Sequence, residues 1–334
     1  MLDGKSLLIT GGTGSFGRRM VATVLRYWRP RRLVVFSRDE LKQSRMAQRF
    51  SPREHEALRY FIGDVRDADR LRRAMADIDY VIHAAALKQV PSCEYNPLEA
   101  IKTNVLGAAN VIDAAIDRGV QAVVALSTDK AANPINLYGA TKLCADKLFV
   151  AGNHYAGAGP TRMAVVRYGN VVGSRGSVIP LFLRQRREGL LTLTDPRMTR
   201  FWITLPRGVA FVLRSLKRMR GGEIFVPKLP SMCMADLARA IAPECPTETI
   251  GIRPGEKLHE TMISVDDARQ TLEYGNYYAI LPDPEMARFS REELPPGGVP
   301  CPEGFCYSSD TNPHWLSVEQ LRAIVHRLES RRAA

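Results

Sequence analysis

Tyr138 and Lys142 stand four residues apart, and a helix at that spacing places both side chains on one face. An ammonium beside a phenol favours the phenolate, so such a pair can take a proton from a hydroxyl group. Shortly before it runs Ser127-Thr128-Asp129-Lys130. The run ends in an acidic and a basic side chain side by side, Asp129 and Lys130, types that can move protons. The same two charges could instead form a local ion pair that only shapes the loop. At the N-terminus stands Gly11-Gly12-Thr13-Gly14-Ser15-Phe16-Gly17. The spacing Gly11-x-x-Gly14-x-x-Gly17 suits a tight turn, the close approach of a pyrophosphate and close helix–strand packing. A helix starting there offers N–H donors and the positive end of its dipole to phosphates. The motifs together predict a dinucleotide cofactor beside a proton-transferring tyrosine.

The residues after the second strand bear on which dinucleotide. An acidic residue there usually binds the 2′-hydroxyl of NAD. Here Ser37, Arg38 and Lys42 suit a 2′-phosphate through charge-assisted hydrogen bonds, which favours NADP over NAD. Asp39 leaves a contact to a free ribose open. Asp64 follows the third strand and can accept from an adenine amino group, with Val65 beside it. Ala84, Ala85 and Ala86 end the fourth strand, and small residues let a cofactor lie against the backbone. Asn104, on a helix below, reads equally as a polar face residue or a structural part of the site.

The elements that must hold these groups are legible as an alternation. Strands are predicted at Ser6–Thr10, 33–36, 59–62, 80–84, 122–126 and 163–167, with helices at 16–28, 97–118 and 138–156. Continuous apolar strands between helices argue for a parallel sheet covered on both faces, hence a doubly wound α/β Rossmann domain. After Gly173 the alternation is lost. The predicted division is 1–174 for the cofactor domain, with a returning segment at about 202–227 that includes a helix at 204–220. Residues 175–201 and 228–330 form a smaller C-terminal substrate-binding domain, and 282–304 read as a long surface loop.

The glycine motif, Ser127–Lys130 and the Tyr138/Lys142 pair resemble the extended short-chain dehydrogenase/reductase family of nucleotide-sugar enzymes. Further segments narrow the likeness. They are Ser37 to Lys42, His83 to Pro91, Tyr168-Gly-Asn170 through Arg175, Met198-Thr-Arg200-Phe, Arg253-Pro-Gly-Glu256 through Glu260, and Ser308 to Asn312. These resemble the inverting UDP-N-acetylglucosamine 4,6-dehydratases of pseudaminic acid biosynthesis over about residues 4–328.

That resemblance implies a closed redox cycle. Tyr138 takes the C4 hydroxyl proton while hydride passes from C4 to NADP and later returns to C6. The C4 ketone acidifies C5, a base removes that proton, and an acid releases the C6 hydroxyl as water. Lys130 is implied as the base and Asp129 as the acid; a lysine base must be neutral, and NADP and Lys142 could supply the positive charge that depresses it. Asn170, Arg175, Arg200, Arg253 and Glu256 match family positions near the nucleotide diphosphate and ribose, and Lys88 is implied near sugar or phosphates. Dimers through the helices at 97–118 and 138–156, or hexamers, follow from the resemblance alone. A retaining dehydratase or a C4 or C5 epimerase on the same fold remains open at this stage.

Composition narrows the classes further. The chain has 334 residues, 45% hydrophobic and 25% charged, which suits a large globular core and excludes wholesale disorder. Net charge is +12, with Arg outnumbering Lys 37 to 10. Basic chains meet anions, but neither a helix-turn-helix pattern nor an aromatic–basic stripe supports nucleic-acid binding. The six cysteines make no Cys-x-x-Cys pair, no metal-ligand spacing occurs, and no apolar run spans a bilayer. A cytoplasmic, metal-free enzyme is the expectation.

Overall fold

The computed structural model describes residues 1–173 and 178–333. Its frame is one ten-stranded sheet. Six parallel strands come from the first half: β1 (Ser6–Thr10), β2 (Arg32–Ser37), β3 (Leu58–Ile62), β4 (Tyr80–His83), β5 (Ala122–Thr128) and β6 (Arg162–Tyr168). Their spatial order is β3-β2-β1-β4-β5-β6. Strand Ile224–Pro227 adds a seventh parallel member beside β6. The chain direction across the sheet reverses between β1 and β4, both of which pair with each other in parallel. Ligands in doubly wound sheets sit outside the carboxyl ends of strands at such a switch point.

Burial explains why these segments are strands. Every residue of β1 and of β5 is buried, as a strand covered by helices on both faces requires. The helix Leu205–Arg218 returns to this body and lies against helix Ser15–Tyr27. A separate apolar cluster, including Phe182, Leu191, Trp202, Leu237 and Leu321, forms the core of a smaller lobe. Short sheets frame that lobe, among them Asn170–Val172, Thr199–Thr204 and Ser231–Cys233 side by side.

Two expectations need correction. Residues Thr271–Glu273, Tyr277–Ile280 and Val299–Pro300, expected in the smaller domain, hydrogen-bond as antiparallel strands onto the edge of the main sheet. They cover the backbone edge that Ile224–Pro227 would otherwise expose, and the predicted surface loop therefore contains a sheet strand. The expected helix 97–118 is also not uniform. It is α-helical at Pro97–Ile101, widens to a π-helix at Lys102–Leu106, and resumes at Gly107–Asp117. The π turn carries the buried Thr103 and Asn104, and such bulges mark functional sites. Among the described residues no helix is long and apolar enough to cross a membrane, and no cluster of metal-ligand residues occurs.

Candidate functional site

The carboxyl ends of β1 to β6 open into a cleft of ≈ 1160 Å³. At β1 the backbone turns sharply at Gly11, whose φ is +64°. A Cβ there would stand 2.8 Å from the Ala84 carbonyl oxygen, so both conformation and space require glycine. A Cβ on Gly17 would be 2.3 Å from the Gly12 carbonyl oxygen, which lets the helix Ser15–Tyr27 start directly against the loop. Thr13, Gly14, Ser15 and Phe16 line the cleft beside that helix N-terminus. Phosphates fit this cradle.

The expected adenosine end follows along the same cleft, with Ser37, Arg38, Lys42, Asp64 and Val65 on its wall. Asp39 is the N-cap of helix Glu40–Arg49, accepting from the Lys42 backbone N–H at 2.8 Å, and its carboxylate also pairs with the Lys42 ammonium. Hydrogen bonding from Lys42 holds the Asp39 carboxyl below the usual range. That engagement ties Asp39 and the Lys42 ammonium to each other. Asp64 is engaged too: its two oxygens accept from the Arg66 backbone at 3.0 Å and from its guanidinium at 2.8 Å, with Arg38 at 3.6 Å. Burial raises the Asp64 carboxyl, and the Arg66 hydrogen bonds outweigh it, leaving a lowered pKa. Ala84, Ala85 and Ala86 form the floor of the cleft at β4. A dinucleotide fits the donor and space pattern of this wall.

Asn104 is structural to the site. Its side chain accepts from the Leu87 N–H at 2.8 Å, donates to the Leu87 carbonyl at 2.8 Å, and donates to Thr141 Oγ1 at 3.0 Å. It thereby ties the loop after β4 to the helix Leu137–Tyr155, which carries Tyr138 and Lys142. Asn136 caps that helix, accepting from the Gly139 N–H at 2.8 Å.

Strand β5 ends in the 3-10 turn Asp129–Ala131, so Thr128, Asp129 and Lys130 meet the first turn of the Leu137–Tyr155 helix. Thr128 Oγ1 donates to Asp129 Oδ1 at 2.9 Å. Lys130 Nζ donates to Asp129 Oδ1 at 3.1 Å and to Glu260 Oε1 at 2.8 Å. Asp129 and Glu260 are buried, and Asp129 Oδ2 and Glu260 Oε2 have no hydrogen-bond partner among the described residues.

Buried charges act on one another throughout this cluster. Burial alone would depress Lys130, but Asp129 and Glu260 outweigh it and hold its pKa above the ordinary lysine range. A neutral Lys130, which a role as base requires, has to form against the pull of both carboxylates. Burial also pushes the Tyr138 phenol up to about 12, against the opposing pull of Lys130 and a hydrogen bond with Thr128. Lys130 is thus a cation that acts on the phenol. Lys142 is lowered by burial, with Asp146 one turn on acting the other way. Asp146 accepts from Ser127 Oγ at 2.8 Å and pairs with the fully buried Arg167 at 3.4 Å. Lys88 on the facing loop is also lowered, by burial and by Lys130.

The expected substrate residues Lys88, Asn170, Arg200, Arg253 and Glu256 line the same cleft; Arg175 lies outside the described residues. Arg253 is exposed and only loosely paired with Glu256, at 3.9 Å, which leaves its fork free for an anion. Arg200 departs from the free phosphate fork expected of it. It is buried and donates to the carbonyls of Thr199, Leu258 and Lys257 at 2.7 to 3.0 Å, bracing the loop that carries Glu260. That loop is also stitched to the tyrosine-bearing helix: Asn136 donates to the Gly255 carbonyl at 2.7 Å, and Lys257 to the Ala132 carbonyl at 2.7 Å. Glu260, Asn136, Asp146 and Arg167 are the site residues that sequence reasoning did not single out. For Glu260 the segment from Arg253 onward was the available signal.

The chain matches the polysaccharide biosynthesis protein family over residues 7–282. It belongs to this family of extended short-chain dehydrogenases/reductases. A UDP-N-acetylglucosamine 4,6-dehydratase (inverting) of Campylobacter jejuni is 55% identical, covering 98% of this chain and 99% of that protein. A UDP-glucose 4-epimerase of Rickettsia typhi is 45% identical, covering 84% of each. Among solved structures, Pen from Bacillus thuringiensis superimposes with a TM-score of 0.90 at 38% identity, covering 98% of this chain and 99% of its own. Family membership accounts for the shared frame, and the members' differing reactions leave the chemistry to the groups around Tyr138.

Proposed function

We propose that this protein is a nucleotide-sugar 4,6-dehydratase, a hydro-lyase that removes water from UDP-N-acetylglucosamine with inversion at C5. The observation that carries the reading is the meeting of Asp129 and Lys130 with Tyr138 at the end of a dinucleotide cradle. Near-full-length identity to an inverting dehydratase supports it.

Bound in the cradle, the nicotinamide supplies reversible hydride transfer at C4 and C6. The chain's residues handle the protons. Tyr138 takes the C4 hydroxyl proton. Lys130, once neutral, removes the C5 proton, and Asp129, once protonated, delivers a proton to the departing C6 oxygen. As hydride reaches C6, C5 takes up a proton on the opposite face, and the proton lost at C4 makes good the one that leaves in water, so the sugar loses one water and no outside oxidant is consumed. Arg253, Asn170 and Glu256 hold the diphosphate and ribose, and Lys88 faces the sugar. NADP is the proposed cofactor, because Ser37, Arg38 and Lys42 line the adenosine end of the cleft and suit a 2′-phosphate. We place the enzyme in the cytoplasm as a homo-oligomer, a dimer or hexamer, and its product in pseudaminic acid synthesis.

A plain C4 epimerase is the competing reading, favoured by the 45% identity to proteins of that name. It needs no acid and base for C5 and C6, which leaves Asp129-Lys130 without a task. Proton NMR with UDP-N-acetylglucosamine and catalytic NADP in deuterated water separates the two. A C6 methyl signal with deuterium at C5 and L-arabino couplings is expected. D-xylo couplings would mean retention, and a galacto product without a methyl signal would mean epimerisation.

A further inference from the structure

Elimination needs Asp129 protonated and Lys130 neutral at the same moment, while the structure holds Asp129 as the acceptor of a Lys130 N–H at 3.1 Å. One proton hop separates the two states. If the N–H bond of Lys130 breaks and an O–H forms on Asp129 Oδ1, the pair becomes acid and base together. Elimination then restores the observed arrangement, since Lys130 gains the C5 proton as Asp129 gives its own to the leaving oxygen. The cycle works only while the pair carries one proton and does not lose it to solvent.

We propose that Glu260 is the positioning residue that retains this proton and fixes the rotation of the Lys130 amine. Glu260 comes from the segment after Arg253, 130 residues from Lys130 in the chain, and its Oε1 is 2.8 Å from Lys130 Nζ. Its backbone is pinned on both sides: its N–H donates to Ser309 Oγ at 2.9 Å and its carbonyl accepts from the Ser309 N–H at 2.8 Å. The carboxylate is 1% exposed, so its charge is little screened by water. The groups acting on Lys130 are Asp129, Glu260 and Arg200, with Arg200 Nε 3.7 Å from Glu260 Oε1. Lys88, Tyr138 and Lys257 feel Lys130 in turn. Full loss of the proton would leave two buried carboxylates near each other, offset by Arg200 and Lys257 alone among the cations that act on them here, an arrangement that low dielectric disfavours. When Lys130 is the neutral amine, one of its N–H bonds stays on Glu260 and sets where its lone pair can point.

The inference rests on the dehydratase reading, so its test has a readout that does not need turnover. The variants are Glu260→Gln, which keeps the shape without the charge, and Glu260→Asp, which keeps the charge. Two quantities are followed in the NADP-bound protein. One is the pH profile of kcat/KM for methyl formation from UDP-N-acetylglucosamine. The other is the titration of the Lys130 ε-carbon in lysine-labelled protein, with the resonance assigned by its loss in Lys130→Met. In Glu260→Gln the alkaline limb and the Lys130 midpoint should both move down by about 1–3 pH units, with KM within about threefold. In Glu260→Asp both should stay within about half a unit of wild type while kcat falls. An unmoved Lys130 midpoint in Glu260→Gln, or an equal shift in both variants, would overturn the proposal. So would a loss of activity confined to KM. If Glu260→Gln does not fold, Glu260→Asp still decides, since a downward shift there contradicts a role for charge. A wild type that forms no methyl product would refute the dehydratase reading, and the lysine titration would then still judge the claim about Glu260.

Discussion

Gly139 offers the sharpest separation of stability from catalysis. It lies in the first turn of the helix Leu137–Tyr155, directly after Tyr138, and packs on the loop that holds Lys130. A Cβ at this position would stand 2.2 Å from the Lys130 carbonyl oxygen, 3.0 Å from its carbonyl carbon and 3.1 Å from Pro134 Cβ. Ordinary contact begins near 3.4 Å, so in Gly139→Ala the loop must withdraw by about 1 Å. The obstacle is backbone, which cannot rotate away as a side chain would. Overpacking of this kind costs about 1–3 kcal/mol, and alanine returns about 0.5–1 kcal/mol of helix propensity. Net destabilisation should therefore be at most about 2.5 kcal/mol. The same withdrawal separates Lys130 and Asp129 from Tyr138, and a misplacement of about 1 Å costs about 100-fold in rate. The assay is methyl formation by NMR at saturating substrate, alongside urea unfolding of the same preparation. A folded Gly139→Ala with kcat within threefold of wild type would refute the claim that this contact sets the acid–base geometry. A protein that unfolds outright would refute the stability estimate.

Three further outcomes follow from the same geometry. Asp146→Ala removes one partner of the buried Arg167, which keeps Asp267 at 3.0 Å, and should cost about 3 kcal/mol in urea unfolding; a change below about 1 kcal/mol would show that Asp267 suffices. Burial, aided by Lys142, holds the His83 imidazole at about 3 against an ordinary 6.5. The folded state thus resists a proton that the unfolded chain accepts, so this contribution is present above pH 6.5 and is lost as pH falls toward 3, by up to about 5 kcal/mol. His83→Gln should flatten that part of the stability curve relative to wild type, and parallel curves would contradict it. Arg38→Ala with Lys42→Ala should weaken NADP by about 10- to 100-fold in calorimetry and leave NAD within about threefold; equal losses for both would remove these residues from cofactor choice.

Local readings served the frame of the molecule well. The apolar runs that predict β1 to β6 are strands, because a parallel sheet buries both faces and so needs unbroken apolar stretches. The same reasoning failed at residues 271–300, where strands of three, four and two residues are too short to show a period, and only the free edge of Ile224–Pro227 recruits them. The π turn at Lys102–Leu106 was equally invisible, since one extra residue in a helical turn leaves the apolar pattern nearly unchanged.

By itself the sequence determined what depends on spacing along the chain: the cradle of Gly11, Gly14 and Gly17, the shared helix face of Tyr138 and Lys142, and the adjacency of Asp129 to Lys130. Tertiary structure alone decided their charge states. Lys130 is held above the ordinary lysine range by Asp129 beside it and by Glu260, 130 residues away, which closes to 2.8 Å from it. Arg200 braces a loop because two carbonyls of that loop, those of Lys257 and Leu258, turn toward it. Spacing reports local geometry, whereas a buried group's proton is governed by charges within a few ångströms, and those neighbours are chosen by how the chain folds back.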